Sequence, residues 1–325
     1  MKRMTRLQED ILTDVLQSLR LQSALYCRAL LRAPWGVSIS RRKVASFHLV
    51  IGGSGWLTIE GIDTAVSLAE GDLLILPHGH AHTLTDHPGA PVTSIESLEN
   101  LESLEPTEAP VARGTFSNGG SGTLTTLVCG RFTFEDLPAH PLSSALPAWL
   151  HLRSRGARSA PLLRAIVRLV QSEARESRLA GDMVIARLSE VLFIEAVRAH
   201  LAAASDGDVG WLGALKDPQI GQAMALIQRH AEDSWTVAAL AERVGLSRST
   251  FSAKFRQLVG EPPMRYVGRV RLARAATLLR AQAAPLKEVA AAVGYDSEVT
   301  LSKAFKRQYG MAPGVYRHTD RSPDD

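Results

Sequence analysis

The sequence predicts a multi-domain chain of mixed α and β structure. A β-barrel with flanking helices comes first and an all-α domain follows. Three observations predict this. The chain has 325 residues, and at roughly 100–200 residues per domain that gives two domains. Short apolar runs separated by glycine turns recur between positions 34 and 134, at the roughly 8–12-residue spacing of a sandwich or barrel. The last hundred or so residues repeat themselves with helical periodicity. Hydrophobic residues are 45% and charged residues 22%, which excludes a disordered or fibrous chain. No apolar run reaches the ~18 residues of a membrane-spanning helix.

Along the chain, Met1 to Arg20 is charged throughout (Lys2, Arg3, Arg6, Glu9, Asp10, Asp14). It lacks the apolar core and cleavage site of a secretory signal and predicts an amphipathic surface helix. Strands are expected at Val44–Ile51, Trp56–Ile59, Ala65–Leu68, Leu73–Leu76 and Thr123–Val128, with turns at Gly52–Gly55, Glu60–Gly61 and Glu70–Asp72. Ser97 to Gly122 reads as an irregular loop ending in a flexible turn from Ser117. From Pro141 to Ala204 the pattern is helical. Pro161–Glu176 carries Leu162, Leu163, Ile166, Val167 and Val170. Asp182 is placed to cap a helix through Leu201, whose apolar stripe is too wide for one face. That stripe must be covered inside the domain or by a partner subunit. Ser205–Asp208 reads as linker. The expected boundaries are 1–205 for the first domain, 206–217 for the linker, 218–320 for the second domain and 321–325 for a tail.

The C-terminal repeat pairs Leu240, Val244 and Gly245 with Val289, Val293 and Gly294. After one inserted residue it pairs Thr250, Ser252, Phe255, Gly260, Pro263 and Tyr266 with Thr300, Ser302, Phe305, Gly310, Pro313 and Tyr316. Each unit reads as helix, tight turn, helix. The first helix ends at a glycine in the left-handed conformation. Ser247 or Ser297 caps the second, which buries Phe251, Phe255 and Leu258 in one unit and Leu301, Phe305 and Tyr309 in the other. This is a doubled helix-turn-helix, whose second helices suit a DNA major groove. A helix from Pro263 to Arg280 spans roughly 25 Å at ~1.5 Å per residue. It can set the two recognition helices about one DNA turn apart.

Charge agrees with a polyanionic partner. Residues 218–325 carry 16 Lys and Arg against 10 Asp and Glu, while the other 217 residues carry 21 against 23. The basic excess lies wholly in the repeat.

Residues 219–318 resemble the DNA-binding domain of AraC/XylS-type bacterial transcription regulators, most specifically in VAAAVGYDSEVTLSKAFKRQYGMAPGVYR. By position, the resemblance implies base-facing slots at Ser249, Ser252 and Ala253 and at Val299, Thr300 and Lys303. Arg248, Lys254, Arg256, Lys306 and Arg307 are then mostly phosphate contacts. Ser249, Ala253 and Val299 cannot make bidentate base contacts, so readout leans on thymine methyls and DNA shape. The implied partners are double-stranded promoter DNA, RNA polymerase and a second copy of the chain, in a cytoplasmic regulator classed with activators and free of the membrane.

In the front domain, Gly71 to His82 fits G-x5-P-x-G-x2-H, the second motif of the cupin β-barrel, in which a Pro/Gly corner aims a histidine inward. The fold class is thus a cupin-like barrel with helices, followed by a double helix-turn-helix. The first cupin motif is degraded. With His48 as its first histidine and Gly61 as its closing glycine, Val50 and Ser54 stand where a second histidine and a glutamate belong. Only His48 and His82 remain at matched positions, with His78 and His80 nearby, so no resident metal or other cofactor is expected. The alternative is a metal-dependent cupin enzyme fused to a DNA-binding domain; a ligand-free architectural DNA-binding protein is a third reading. The two cysteines, Cys27 and Cys129, form no disulfide framework and are expected reduced. They are either buried small hydrophobes or a redox pair whose pKa values Arg28 and Arg131 lower. His48, His80, His82, Cys27 and Cys129 are the effector or redox candidates, with a small-molecule effector lined by Trp35, Phe47 and Trp56 as the favoured signal.

Overall fold

The computed structural model describes residues 13, 21–97, 114–134, 145–154, 160–176, 178–203, 210–281 and 284–318. The expected helix at Met1–Arg20 (Thr13 apart), the Ser205–Asp208 linker and the tail lie outside these residues. Two compact units divide the chain. The strands and two helices form one, and the remaining helices form the other.

In the first unit β1 (Gln22–Arg32), β3 (Ala45–Gly52), β6 (Leu73–Leu76), β9 (Gly114–Gly119), β10 (Leu124–Thr133) and β11 (Leu150–Leu152) make one sheet in the order β11-β6-β3-β10-β1-β9. A second sheet runs β5-β4-β7-β2-β8, from β2 (Gly36–Ile39), β4 (Ser54–Ile59), β5 (Ile62–Ala69), β7 (His82–Thr85) and β8 (Thr93–Ser94). Between the sheets lies an apolar core that includes Leu31, Trp35, Val50, Leu57, Leu74 and Leu127. Ala45 through Ile51 of β3 are buried on both faces, which explains their near-continuous apolar run. On its outer face Phe47 meets Phe132 at 4.8 Å, and Phe132 meets Phe193 at 5.1 Å between ring centroids. Phe193 belongs to α2 (Gly181–Ala203), which packs with α1 (Ala160–Glu176) over that sheet.

Several expectations are corrected. Asp182 lies in the first turn of α2, which starts at Gly181. The stretch from Ser97 to Gly122 is not wholly irregular. β9 runs parallel to β1, from Cys27↔Gly114 to Arg32↔Gly119. Its sequence, GTFSNG, has little strand propensity, and a ladder with a distant strand makes it a strand. β11 interrupts the helical stretch after Pro141 because Leu150–Leu152 pair with β6. The last expected strand continues to Thr133, so Cys129 is in mid-strand.

A buried carboxylate ties β11 to the barrel. Asp72 accepts from His151 Nε2 at 2.9 Å, from the Ser154 amide at 2.8 Å and from the Ala69 amide at 3.2 Å. Burial raises the Asp72 pKa, but the His151 bond and the two amides outweigh it and hold it below the usual value. Asp72→Ala leaves buried donors unmet and is expected to cost about 1–3 kcal/mol, read as a lower urea midpoint. A depressed carboxylate stabilises fully above its unfolded pKa of about 3.9 and loses that contribution as pH falls through the folded value. The difference between wild type and variant should therefore shrink below about pH 4.

The second unit holds α3 (Trp211–Ala214), α4 (Pro218–Arg229), α5 (Val237–Arg243), α6 (Arg248–Val259), α7 (Pro263–Ala281), α8 (Leu286–Ala292), α9 (Glu298–Tyr309) and α10 (Pro313–Tyr316). Asp217 caps α4, accepting from the Gln219 and Ile220 amides at 3.1 and 2.9 Å. The second helix-turn-helix has its own core of Leu272, Ala276, Leu279, Val289, Val293, Leu301 and Phe305.

Candidate nucleic-acid interface and effector cavity

The two repeat units have the same local construction. Ser247 and Ser297 each accept from the amide three residues on, Thr250 and Thr300, at 3.2 Å. Gly260 and Gly310 end α6 and α9 in the left-handed conformation. Phe251 and Phe255 of α6, and Leu301 and Phe305 of α9, are fully buried. Tyr266 then packs on Phe255 at 5.7 Å and Tyr316 on Phe305 at 5.1 Å. With one face of each helix anchored, the opposite face is turned outward. Arg248, Ser249, Ala253, Arg256, Val299, Thr300, Lys303, Lys306 and Arg307 are exposed, and Ser252 and Lys254 half-buried.

Cations on this surface divide into two groups. Among the described residues, Arg248, Arg256, Lys303, Lys306 and Arg307 have no acidic partner. Lys254 is engaged, with its Nζ 2.8 Å from Asp217 Oδ2 and 2.9 Å from Gln219 Oε1, tying α6 to the cap of α4. The α7 arginines are engaged too. Arg271 donates to the carbonyls of Ala231 and Asp233 at 2.7 Å, and Arg274 to the Arg229 carbonyl at 3.0 Å and to Glu232 at 2.8 Å. Arg269 pairs with Glu261, and the Arg280 guanidinium lies 4.5 Å from the Tyr316 ring centroid. Arg271 and Arg274 thus hold the end of α4 against α7, a role no local sequence signal marked.

In the first unit, the Pro/Gly corner delivers His82 to the interior. His48 Nε2 and His82 Nε2 are 2.8 Å apart, and His48 Nδ1 is 3.1 Å from Cys129 Sγ. His82 Nδ1 is 2.8 Å from the His80 carbonyl. That carbonyl only accepts, so with both rings held neutral by burial it fixes the direction of the chain. His82 Nδ1–H donates to His80, His48 Nε2–H donates to His82, and the Cys129 thiol donates to His48 Nδ1. Burial pushes the His48 pKa well down, helped by His82 and Arg42, and burial with Arg42 lowers that of His82. His80 contributes its backbone; burial, Arg41 and His78 lower its imidazole pKa. Cys27 lies opposite Cys129 in the register of β1 and β10. The facing Cys129 thiol lowers the Cys27 pKa against the effect of burial, and Cys27 and burial together push Cys129 well up.

A cavity of about 50 Å³ opens beside this group, lined by Cys27, Cys129, His48 and Arg42 and otherwise mostly by aliphatic side chains. Phe116 lines it; Trp35, Phe47 and Trp56 do not. Trp35 is core, Phe47 faces the helices and Trp56 is half-buried. The metal of catalytic cupins does not fit here. Val50 and Ser54 offer no imidazole or carboxylate, and the two histidines are spent on each other. Among the described residues no group of three or more His, Cys, Asp or Glu could hold a metal ion.

Comparison with known proteins agrees with both halves of this description. Residues 10–202 match the cupin family model and residues 240–319 match a helix-turn-helix domain. An AraC-like transcription regulator of Streptomyces antibioticus is 34% identical over 309 residues, covering 95% of this chain and 98% of its own. The HTH-type transcriptional regulator AlkR of Acinetobacter baylyi is 28% identical over 309 residues, covering 95% and 99%. Among solved structures, the DNA-binding domain of AdpA in complex with a target DNA is similar at 33% identity and a TM-score of 0.32, over 34% of this chain and 99% of that one. Among the described residues no helix is long and apolar enough to cross a membrane. The chain belongs to the AraC-type DNA-binding transcription regulators that carry an N-terminal cupin domain.

Proposed function

We propose that this chain is a cytoplasmic, homodimeric, non-enzymatic regulator that reads a promoter sequence with α6 and α9, meets RNA polymerase there as an activator, and takes its signal in the cupin cavity. The observation that carries this reading is the set of five acid-free cations, Arg248, Arg256, Lys303, Lys306 and Arg307, on the outward faces of two equivalent helices. Lys303, with Ser249, Ser252, Ala253, Val299 and Thr300, faces bases; the other four meet phosphates. Lys254 is withdrawn from that group by Asp217 and acts as a tie. Binding of the full-length protein to sheared genomic DNA at fixed salt tests the reading. A few sharp peaks sharing a motif support it, and diffuse salt-sensitive binding refutes it. Within such a motif, Lys303→Ala should relax preference at one position by about 1–3 kcal/mol. Lys306→Ala should weaken all sequences alike and lower the salt slope by about 0.9. Equal behaviour of the two variants refutes the division of roles.

The dimer surface is assigned to α1 and α2. Leu162 and Leu169 on α1, and Val184 and Val191 on α2, are exposed at seven-residue spacing, with Met183 beside them at 65% exposure. Such a stripe suits a second copy of the chain, and pairing would link two DNA-binding events. Leu169→Glu with Val191→Glu is expected to convert dimer to monomer at micromolar concentration, measured by sedimentation velocity. Sedimentation unchanged from wild type would place the dimer elsewhere.

A further inference from the structure

We propose that Cys27 and Cys129 are a peroxide-reactive dithiol, in which Cys27 is attacked by a small uncharged hydroperoxide in the cavity and Cys129, relayed to His48 and His82, closes the disulfide. This deepens the signal-sensing reading above and rests on it for any effect on DNA.

The residues needed for each step converge on one cavity. Cys27 and Cys129 are directly opposed on neighbouring antiparallel strands. Such partners have Cα atoms about 4.5–5.5 Å apart, inside the range a disulfide spans. Both thiols are free. Both line the cavity, Cys27 half-buried and Cys129 buried. The two facing thiols shift each other in opposite directions, Cys27 toward thiolate and Cys129 toward thiol, and the thiolate is the nucleophile. Arg42, whose guanidinium is 3.9 Å from the Glu96 carboxylate, brings a cation to the cavity wall. The aliphatic lining, with Ala29, Leu31 and Leu84, favours an uncharged oxidant over a charged one. A volume of about 50 Å³, several times the ~10–15 Å³ that one water needs, leaves room for a small hydroperoxide.

The chemistry balances. The Cys27 thiolate attacks the terminal peroxide oxygen. An S–O bond forms, the O–O bond breaks, and the alkoxide leaves and takes a proton to become an alcohol. The Cys129 sulfur then attacks the Cys27 sulfenic acid and gives its proton to His48 Nδ1. The S–S bond forms, the S–O bond breaks, and the departing hydroxide takes up that proton as water. Two thiols and one hydroperoxide become one disulfide, one alcohol and one water; the sulfurs lose two electrons and the peroxide oxygens gain them. The neutral His48, its Nδ1 facing the Cys129 sulfur, is the acceptor for the second step.

The test uses the reduced full-length protein and tert-butyl hydroperoxide or hydrogen peroxide. Intact mass and peptide mapping should show loss of two hydrogens, a Cys27–Cys129 cross-link, and reversal by dithiothreitol. Cys129→Ser should stop at a Cys27 sulfenic acid trapped by dimedone, and Cys27→Ser should give neither product. His48→Gln should slow closure on the order of a hundred-fold with both thiols still alkylatable after denaturation. Should His48→Gln fail to fold, the trapping experiment still decides. Thiols that stay unmodified under excess oxidant, or an equal response from Cys27→Ser, overturn the proposal. Operator binding by the reduced protein is measured in parallel. Its absence alongside intact dithiol chemistry counts against the regulator reading, and its presence with inert thiols counts against the dithiol.

Discussion

Gly294→Ala is expected to abolish operator binding by unseating the second helix-turn-helix unit. The glycine holds φ +81°, and a Cβ built on it stands 2.6 Å from the Glu232 carbonyl oxygen and 2.8 Å from Glu232 Cα. A left-handed backbone costs an L-residue roughly 1–2 kcal/mol. A contact to backbone, which has no rotamer with which to yield, adds about 1–3 kcal/mol. Gly245, its counterpart in the first unit, is the control. It has φ +69° and nothing within 4 Å of an added Cβ, so Gly245→Ala should cost only the roughly 1–2 kcal/mol of backbone strain. Thermal unfolding of the two variants measures the difference. Equal losses would show that the Glu232 contact yields without cost and that this turn is not what seats α9.

Phe305→Ala should remove about 3–5 kcal/mol, a large part of the roughly 5–15 kcal/mol that holds an ordinary domain folded. Phe305 is fully buried, with Tyr309 stacked on it at 4.4 Å and Tyr316 edge-on at 5.1 Å. Truncation empties the centre of the packing that, together with Leu301, fixes the inner face of α9, so the outward face loses its position and DNA binding goes with it. Urea unfolding followed by circular dichroism should show the helical transition at lower denaturant. Lys303→Ala, on the same helix and exposed, should change DNA preference with an unmoved midpoint. A Phe305→Ala protein that unfolds at the wild-type midpoint would contradict this account of the core.

The C-terminal unit was the more legible half. Its signals are local: serine caps three residues from the amides they meet, glycines at left-handed ends, and apolar residues four apart. Arg248, Pro263 and Glu298 therefore begin helices within a residue or so of where the pattern places them. The barrel was legible only where a strand carries its own signal. β3, β4, β5 and β6 are apolar runs bounded by glycine turns. β1, β9 and β11 are strands because of distant partners, and Gly114–Gly119 carries almost no strand preference of its own.

The sequence by itself determined the doubled helix-turn-helix, the outward faces of its second helices, and a cupin motif without a full ligand set. Each follows from contacts within a few residues, where backbone geometry and side-chain period leave little choice. Only the tertiary structure decided which cations are already spent, with Lys254 on Asp217 and Arg274 on Glu232. It alone set Cys27 across from Cys129, and His82 beside His48. Strand register and ion pairing between segments far apart are settled by packing of the whole domain, and no local pattern encodes that outcome.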